Sequence, residues 1–196
     1  MFERFRTFAS SVDGVDIHGV TGGHGPPLLL LHGYPQTHVM WHKVAPPLAE
    51  HFTVVAADLR GYGRSSKPDP VPDHSTYSKR VMAGDMTGLM ASLGFHEFSI
   101  LAHDRGARVA HRLALDSPEA VARMVLLDLA PTREMYSKAD GAFARAYWHW
   151  FFLIQPPYLP EQMIGADPRG YWLRKCGGGS AGLKPFSPEA LAAYLE

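Results

Sequence analysis

Cysteine is scarce, with one in 196, Cys176. A single thiol excludes a disulfide framework and fits a reducing compartment. Flanked by Lys175 and Gly177, it reads as a lone structural thiol rather than a nucleophile. Long apolar runs are also missing. The longest purely aliphatic stretch is Leu28 to Leu31, far short of the ~20 residues that span a bilayer. Residues 1–10 carry charges but no apolar segment of the kind a secretory signal needs. Neither sign of charge dominates, with 19 Lys+Arg against 19 Asp+Glu, so there is no basic face for nucleic acid and no acidic tail. Internal repeats and low-complexity tracts are absent. These absences leave a cytoplasmic globular protein without membrane or nucleic-acid partners. Its 46% hydrophobic residues can build a core in one domain, or in a domain with an insertion.

Metal and phosphate patterns are thin as well. His38 and His42 are spaced i, i+4, as helical metal ligands can be. No Glu follows His38 and no third ligand is in view, so a helix-surface reading is preferred and no metal is expected. The Gly22-Gly23-His24-Gly25-Pro26-Pro27 cluster reads as a loop, because no phosphate-loop pattern follows it. Gly178-Gly179-Ser180-Ala181-Gly182 fits the serine pattern G-x-S-x-G, but no strand precedes it.

What the chain does contain is an alternation of strands and helices. Phe5 to Ser11 and Val15 to Val20 read as a hairpin around Asp13-Gly14. Leu28 to Leu31, Phe52 to Ala57 and Val121 to Leu127 read as strands buried on both faces, and another short apolar run begins at Phe98. Helical stretches are expected near 39–50, 77–93 (closed by Gly94) and 107–116. This predicts an α/β fold: a mostly parallel sheet with helices on both faces and functional loops at the strand ends. After Pro131 the character changes. A helical stretch from Thr132 to Ile154 is crowded with aromatics, prolines 156, 157 and 160 break it, and a last helix follows Ser187-Pro188. The expected division is residues 1–131 as an α/β core and 132–196 as a helical region.

The centre of the pattern is Phe98-Ser-Ile-Leu-Ala-His-Asp104-Arg105-Gly106-Ala-Arg108. A strand, a sharp turn and a helix are what a nucleophile elbow requires, with small residues either side of the nucleophile because the turn has no room for larger ones. Ala102 and Gly106 are those small residues, and Asp104 occupies the nucleophile position. A carboxylate there attacks carbon and forms an ester. The competing reading is that Asp104 simply caps the following helix.

Three motifs follow successive strands: His32-Gly33-Tyr34-Pro35, Asp58-x-Arg60-Gly61-x-Gly63-x-Ser65 and Ala102-His103-Asp104-Arg105-Gly106. Together they resemble the α/β-hydrolase fold. The elbow His-Asp-Arg-Gly-Ala-Arg and the Tyr147-Trp-His-Trp-Phe-Phe152 run are similar to the fluoroacetate (haloacetate) dehalogenases. That resemblance implies hydrolytic dehalogenation of a small 2-haloacid. Asp104 would be the nucleophile and Asp128 the acid that orients a base histidine. Arg105 and Arg108 would clamp the substrate carboxylate, His149 and Trp150 would bind halide, and the backbone N–H groups of Tyr34 and Arg105 would form the oxyanion hole. It implies no cofactor, and a homodimer. On residue type alone each role has a plainer alternative: a solvated helix face for the arginines, a strand-end cap for Asp128, aromatic packing for Trp150. His149 follows Asp104 and Asp128 in the order of a triad base, but lies in the helical region with no strand to aim it. The resemblance also places the base histidine and the last core strands after Glu196, so the sequence reads as the N-terminal portion of a longer enzyme. Epoxide hydrolysis, which also uses an elbow Asp with tyrosine donors such as Tyr147, Tyr158 or Tyr171, is the alternative activity. A catalytically incomplete fragment is the third reading.

Overall fold

The computed structural model describes all 196 residues. They form two compact units, Met1–Leu129 and Ala130–Glu196.

The first unit is built on a six-stranded sheet of order β1-β2-β4-β3-β5-β6. Its strands are β1 (Arg6–Val12), β2 (Val15–Gly23), β3 (Pro27–Leu31), β4 (Thr53–Ala57), β5 (Phe98–His103) and β6 (Val121–Leu127). β1 pairs antiparallel with β2, and β2 with β4. β4, β3, β5 and β6 run parallel, with Leu28 beside both Val54 and Ser99, and Ala102 beside both Leu31 and Leu126. Successive residues of a strand face opposite sides of the sheet, and the four leucines of β3 divide accordingly. Leu29 and Leu31 join Val55, Ile100 and Ala102 in one core. Leu28 and Leu30 join Val20, Val54 and Ala56 in the other. All four are buried, which is why the run carries no polar alternation.

The larger core is closed by α2 (Lys79–Ser92) and α3 (Asp104–Asp116), through Met82, Met86, Leu89 and Met90 of the first and Val109, Ala110 and Leu113 of the second. Trp41 and Ala45 close the smaller one. Residues 39–50 form only a 3-10 turn, His38–Trp41, and the four-residue α1, Ala45–Leu48. A longer helix was expected there. Pro46 and Pro47 sit within α1, where they have no N–H to extend the hydrogen-bond ladder. The expected 77–93 helix likewise starts late, because Ser75–Tyr77 is a 3-10 turn and Ser78 caps α2 by accepting the Val81 N–H.

β6 has the predicted bounds but not the predicted burial. Met124 and Leu126 pack on the core, whereas Val125 is 53% and Leu127 41% exposed. It is the outermost strand, with a neighbour on one side only. Its apolar composition does not distinguish an edge position from a central one.

The second unit contains α4 (Thr132–Ser137), α5 (Gly141–Ala146), α6 (Trp148–Phe152), α7 (Leu159–Ala166), α8 (Pro168–Gly177) and α9 (Pro188–Leu195). The stretch read as one helix from Thr132 is three. Asp140 explains the first break: its carboxylate accepts the Phe143 N–H at 2.7 Å and starts a new helix. Ser187 caps α9 in the same way, accepting the Ala190 N–H at 3.2 Å. Trp172 stacks on Tyr194 and meets Phe186 edge-on, forming a small local core. No helix in either unit is long and apolar enough to cross a membrane.

Candidate active site

Asp104 stands at the C-terminal end of central strand β5, at the first position of α3. Its φ is +48°, left-handed backbone that a non-glycine residue adopts at a cost of order 1–3 kcal/mol. A simple capping residue has ordinary extended backbone, and the residue in the cap position, His103, does (φ −126°, ψ 143°) but makes no side-chain cap bond. The left-handed turn is instead the geometry of an elbow. It requires close packing around it. A Cβ on Gly106 would come within 2.6 Å of the Leu31 carbonyl oxygen, and one on Gly33 within 2.6 Å of the Asp104 Cβ. These glycines let α3 and the 33–36 loop approach the turn.

The Asp104 carboxylate is half-buried, and its Oδ1 accepts the backbone N–H of Tyr34 at 2.8 Å. Oδ2 accepts no hydrogen bond from the chain. The expected partnership between the elbow and the Tyr34 loop is therefore present in the geometry. The next residue, Arg105, lies with its guanidinium over the Tyr34 ring, 4.8 Å from the ring centre, and its charge acts on the Tyr62 hydroxyl. Burial pushes the Tyr62 hydroxyl above its ordinary pKa, against the pull of Arg105. Arg108, one turn further along α3, is half-buried.

His32 supports this loop from beneath. It is fully buried and is held neutral by burial, despite the opposing fields of Asp58 and Asp104. Its Nδ1–H donates to the Gly33 carbonyl at 3.1 Å and its Nε2 accepts the Leu59 N–H at 3.1 Å, a pattern only the neutral ring can make. Asp58 fixes the far end of the same loop. Its Oδ1 accepts both the backbone N–H and the Nδ1–H of His38, at 2.7 and 2.8 Å, and its Oδ2 accepts the Arg64 N–H at 3.2 Å. Burial raises its pKa, yet the His38 bonds outweigh that and hold the carboxyl below its usual range. His38 is thus part of a buried pair and not a helix-surface residue. Arg60 of the same motif forms a two-bond fork with Asp85, Nε to Oδ2 at 2.6 Å and Nη2 to Oδ1 at 2.5 Å, tying the loop to α2.

Asp128 follows β6 directly, also with positive φ, +51°. Its side chain is 85% exposed, and its nearest ionisable partner is His103, Nε2 to Oδ2 at 3.9 Å. The His103 Nδ1 is buried without a hydrogen-bond partner.

His149 and Trp150 belong to the second unit, on α6. Both are half-buried among aromatic rings: His149 stacks with Tyr147 and meets Trp148 edge-on, and Trp150 contacts Tyr136, Phe143 and Tyr147. No three His, Cys, Asp or Glu side chains converge as a metal centre would need. Cys176 is half-buried, and burial pushes its thiol up to about 11 against the opposing charge of Lys175.

Sequence reasoning picked out Asp104, Arg105, Arg108 and Tyr34, and the structure gathers Asp104, Arg105 and Tyr34 around one turn. It missed Tyr62 and the role of Asp58. Tyr62 lies between two motif glycines, where only the glycines draw notice.

Residues 26–159 match a protein family described as alpha/beta hydrolase fold. The chain is 52% identical to a fluoroacetate dehalogenase from a Burkholderia species, over 99% of this chain and 64% of that protein. It is 43% identical to a soluble epoxide hydrolase from a Corynebacterium species, over 94% of this chain and 64% of that one. It thus spans about two thirds of the length of both. A solved α/β hydrolase from a Nostoc species superposes with a TM-score of 0.96 at 58% identity, covering 100% of this chain and 67% of that structure. By the match over most of its length, the strand order and these relatives, the chain belongs to the α/β-hydrolase fold family.

Proposed function

We propose that this chain carries the nucleophile and carboxylate-binding elements of a hydrolytic dehalogenase for small 2-haloacids. The observation that supports this best is the elbow itself. An Asp carboxylate on a left-handed turn has one oxygen held by the Tyr34 N–H, the other without a donor, and is followed by Arg105 and, one turn along the same helix, Arg108.

In the first step Oδ2 of Asp104 attacks the halogen-bearing carbon from behind. A C–O bond forms as the C–X bond breaks, and the halide leaves with the bonding electron pair. Arg105 and Arg108 hold the substrate carboxylate, for which a guanidinium fork is suited. His149 and Trp150 donate to the departing halide. In the second step water attacks the ester carbonyl of Asp104. The resulting oxyanion takes the place of Oδ1, facing the N–H groups of Tyr34 and Arg105. The acyl C–O bond then breaks, with Asp128 orienting the base that takes a proton from the attacking water and passes it to the leaving alkoxide; the 2-hydroxyacid is released and the new carboxyl loses its proton to solvent, restoring the carboxylate. Water is the only co-reactant, so no cofactor enters the balance. The substrate is a small haloacid, and a homodimer is the assembly proposed.

Epoxide opening by the same Asp is the second reading, favoured by the similarity to epoxide hydrolases and by tyrosines 147, 158 and 171. A neutral epoxide gives two arginines beside the nucleophile nothing to bind, and the haloacid does. The two readings separate on substrate: ion-selective detection of fluoride or chloride from haloacetates, against diol formation from a panel of epoxides. Diol without halide would overturn the dehalogenase reading.

A further inference from the structure

His103 is the last residue of β5, immediately before Asp104. Its backbone is ordinary extended strand, so its side chain lies on the sheet face opposite Ala102, away from the larger core. There the ring bridges the two strand ends beside the elbow. Toward β3, its Nδ1 lies 3.0 Å from the point that a Cβ on Gly33 would occupy, and the Asp104 Oδ1 lies 2.8 Å from the same point. Toward β6, where Leu127 is its register partner, its Nε2 faces the Asp128 Oδ2 at 3.9 Å. Neither His103 nor Asp128 takes part in any other ion pair.

The two ring nitrogens have different surroundings. Nδ1 is buried and makes no hydrogen bond, which leaves Nε2 as the polar end of the ring. A lone pair on Nε2 would face the lone pairs of the Asp128 carboxylate, so Nε2 carries a proton in either charge state of the ring. Asp128 is the complement. Its side chain is 85% exposed, with room to close the 3.9 Å contact to a hydrogen bond. An exposed carboxylate rotates freely unless a donor fixes one of its oxygens. We propose that His103 is a positioning residue for Asp128: its Nε2–H holds Oδ2 and so presents Oδ1 to the base that deprotonates the attacking water. The inference rests on the role given to Asp128 in the dehalogenase reading. His103 therefore acts on the second step, hydrolysis of the Asp104 ester, rather than on its formation.

Two measurements on the full chain test it. In the first, Asp104 is alkylated with bromoacetate and free imidazole is supplied as the base. Loss of the ester is followed by mass spectrometry in oxygen-18 water, which leaves a heavy oxygen on Asp104 when water attacks its carbonyl carbon. His103→Leu and Asp128→Asn should each slow the imidazole-dependent loss roughly tenfold, the scale of one hydrogen bond to a charged group. The double variant should be no slower than either, because both act through one contact. His103→Gln should restore the rate, since its amide can place an N–H where Nε2 was. The rate is read against the alkylation rate of the same variant, so one that folds badly slows both and leaves the ratio unmoved. In the second measurement, the ring nitrogens of His103 are observed by NMR at mildly alkaline pH. They should show a proton on Nε2, and the Nε2 resonance should move in Asp128→Asn. Imidazole-dependent loss that slows in Asp128→Asn but not in His103→Leu would overturn the positioning role, as would failure of His103→Gln to restore it. If bromoacetate leaves no adduct on Asp104, the dehalogenase reading fails and the NMR arm decides alone. An Nε2 proton that responds to Asp128→Asn then upholds the contact, and a ring indifferent to that substitution overturns it.

Discussion

Asp58 and Asp104 are two carboxylates at the ends of two parallel strands, β4 and β5, and they do opposite things with their lone pairs. Asp58 is fully buried and accepts three hydrogen bonds, two from His38 and one from Arg64. Asp104 is half-buried and accepts one, leaving Oδ2 without a donor. A carboxylate saturated with donors is stabilised as an anion and is a poor nucleophile. One held at a single oxygen is oriented by that bond and keeps the other oxygen reactive. The backbone follows the same division, since the strained left-handed turn is at Asp104. Asp58 shapes the loop that carries Tyr34, and in the proposed reaction Asp104 meets the carbon.

The largest effect that could break this comparison is on chemistry. Asp104→Asn should abolish covalent labelling by bromoacetate, while thermal unfolding stays within a few degrees of wild type, since the amide can still accept the Tyr34 N–H. Labelling at the same rate in the variant would mean that another group is the nucleophile.

The largest effect on stability concerns the fork behind Asp58. Arg60→Ala strands a buried Asp85, whose pKa burial already raises, and should cost about 3–5 kcal/mol. Chemical denaturation measures this directly. A loss below 1 kcal/mol would show that the fork does not hold the loop.

Asp58→Asn sharpens the contrast through pH. The folded-state pKa of Asp58 lies below its unfolded value of 3.8. The stability it contributes is therefore fully present above pH ~4 and is lost as pH falls through the folded value. The variant should lose about 1.5–3 kcal/mol at neutral pH and show a flatter acid limb in a stability–pH series. An unchanged acid limb would remove Asp58 from the account.

Arg108→Ala should slow bromoacetate labelling of Asp104 by an amount equivalent to about 1.5–3 kcal/mol at nearly unchanged melting temperature. Equal rates would refute the carboxylate clamp. The smallest effect expected is at Cys176. With its thiol pushed up to about 11, it holds little thiolate at pH 7 and should label slowly with the same reagent. Fast labelling there would contradict the burial of that thiol.

Local pattern revealed much of this fold in the sequence. The β3 leucines, the small residues around Asp104, the bounds of β6 and the Ser187 cap all depend on near neighbours, and each has the expected form. What the sequence did not reveal depends on distant partners or on position in the sheet. Val125 and Leu127 read as core because an edge strand and a central strand have the same composition. The 132–154 helix first divides where one carboxylate, Asp140, captures a backbone N–H, a competition that helical periodicity does not register. Asp58 accepts from His38, twenty residues away, and Arg60 reaches Asp85 on α2, so neither partner is visible in a motif.

The central claim is that the elbow aspartate, and not the buried one, attacks carbon. Its most direct test is to incubate the chain with bromoacetate, digest it, and map the carboxymethyl ester by mass spectrometry across Asp58, Asp104 and Asp128, with Cys176 and the histidines as controls. The account predicts a carboxylate adduct on Asp104 alone, suppressed by glycolate. An adduct on Asp58 or Asp128, or labelling of Asp104 that glycolate does not slow, would contradict it.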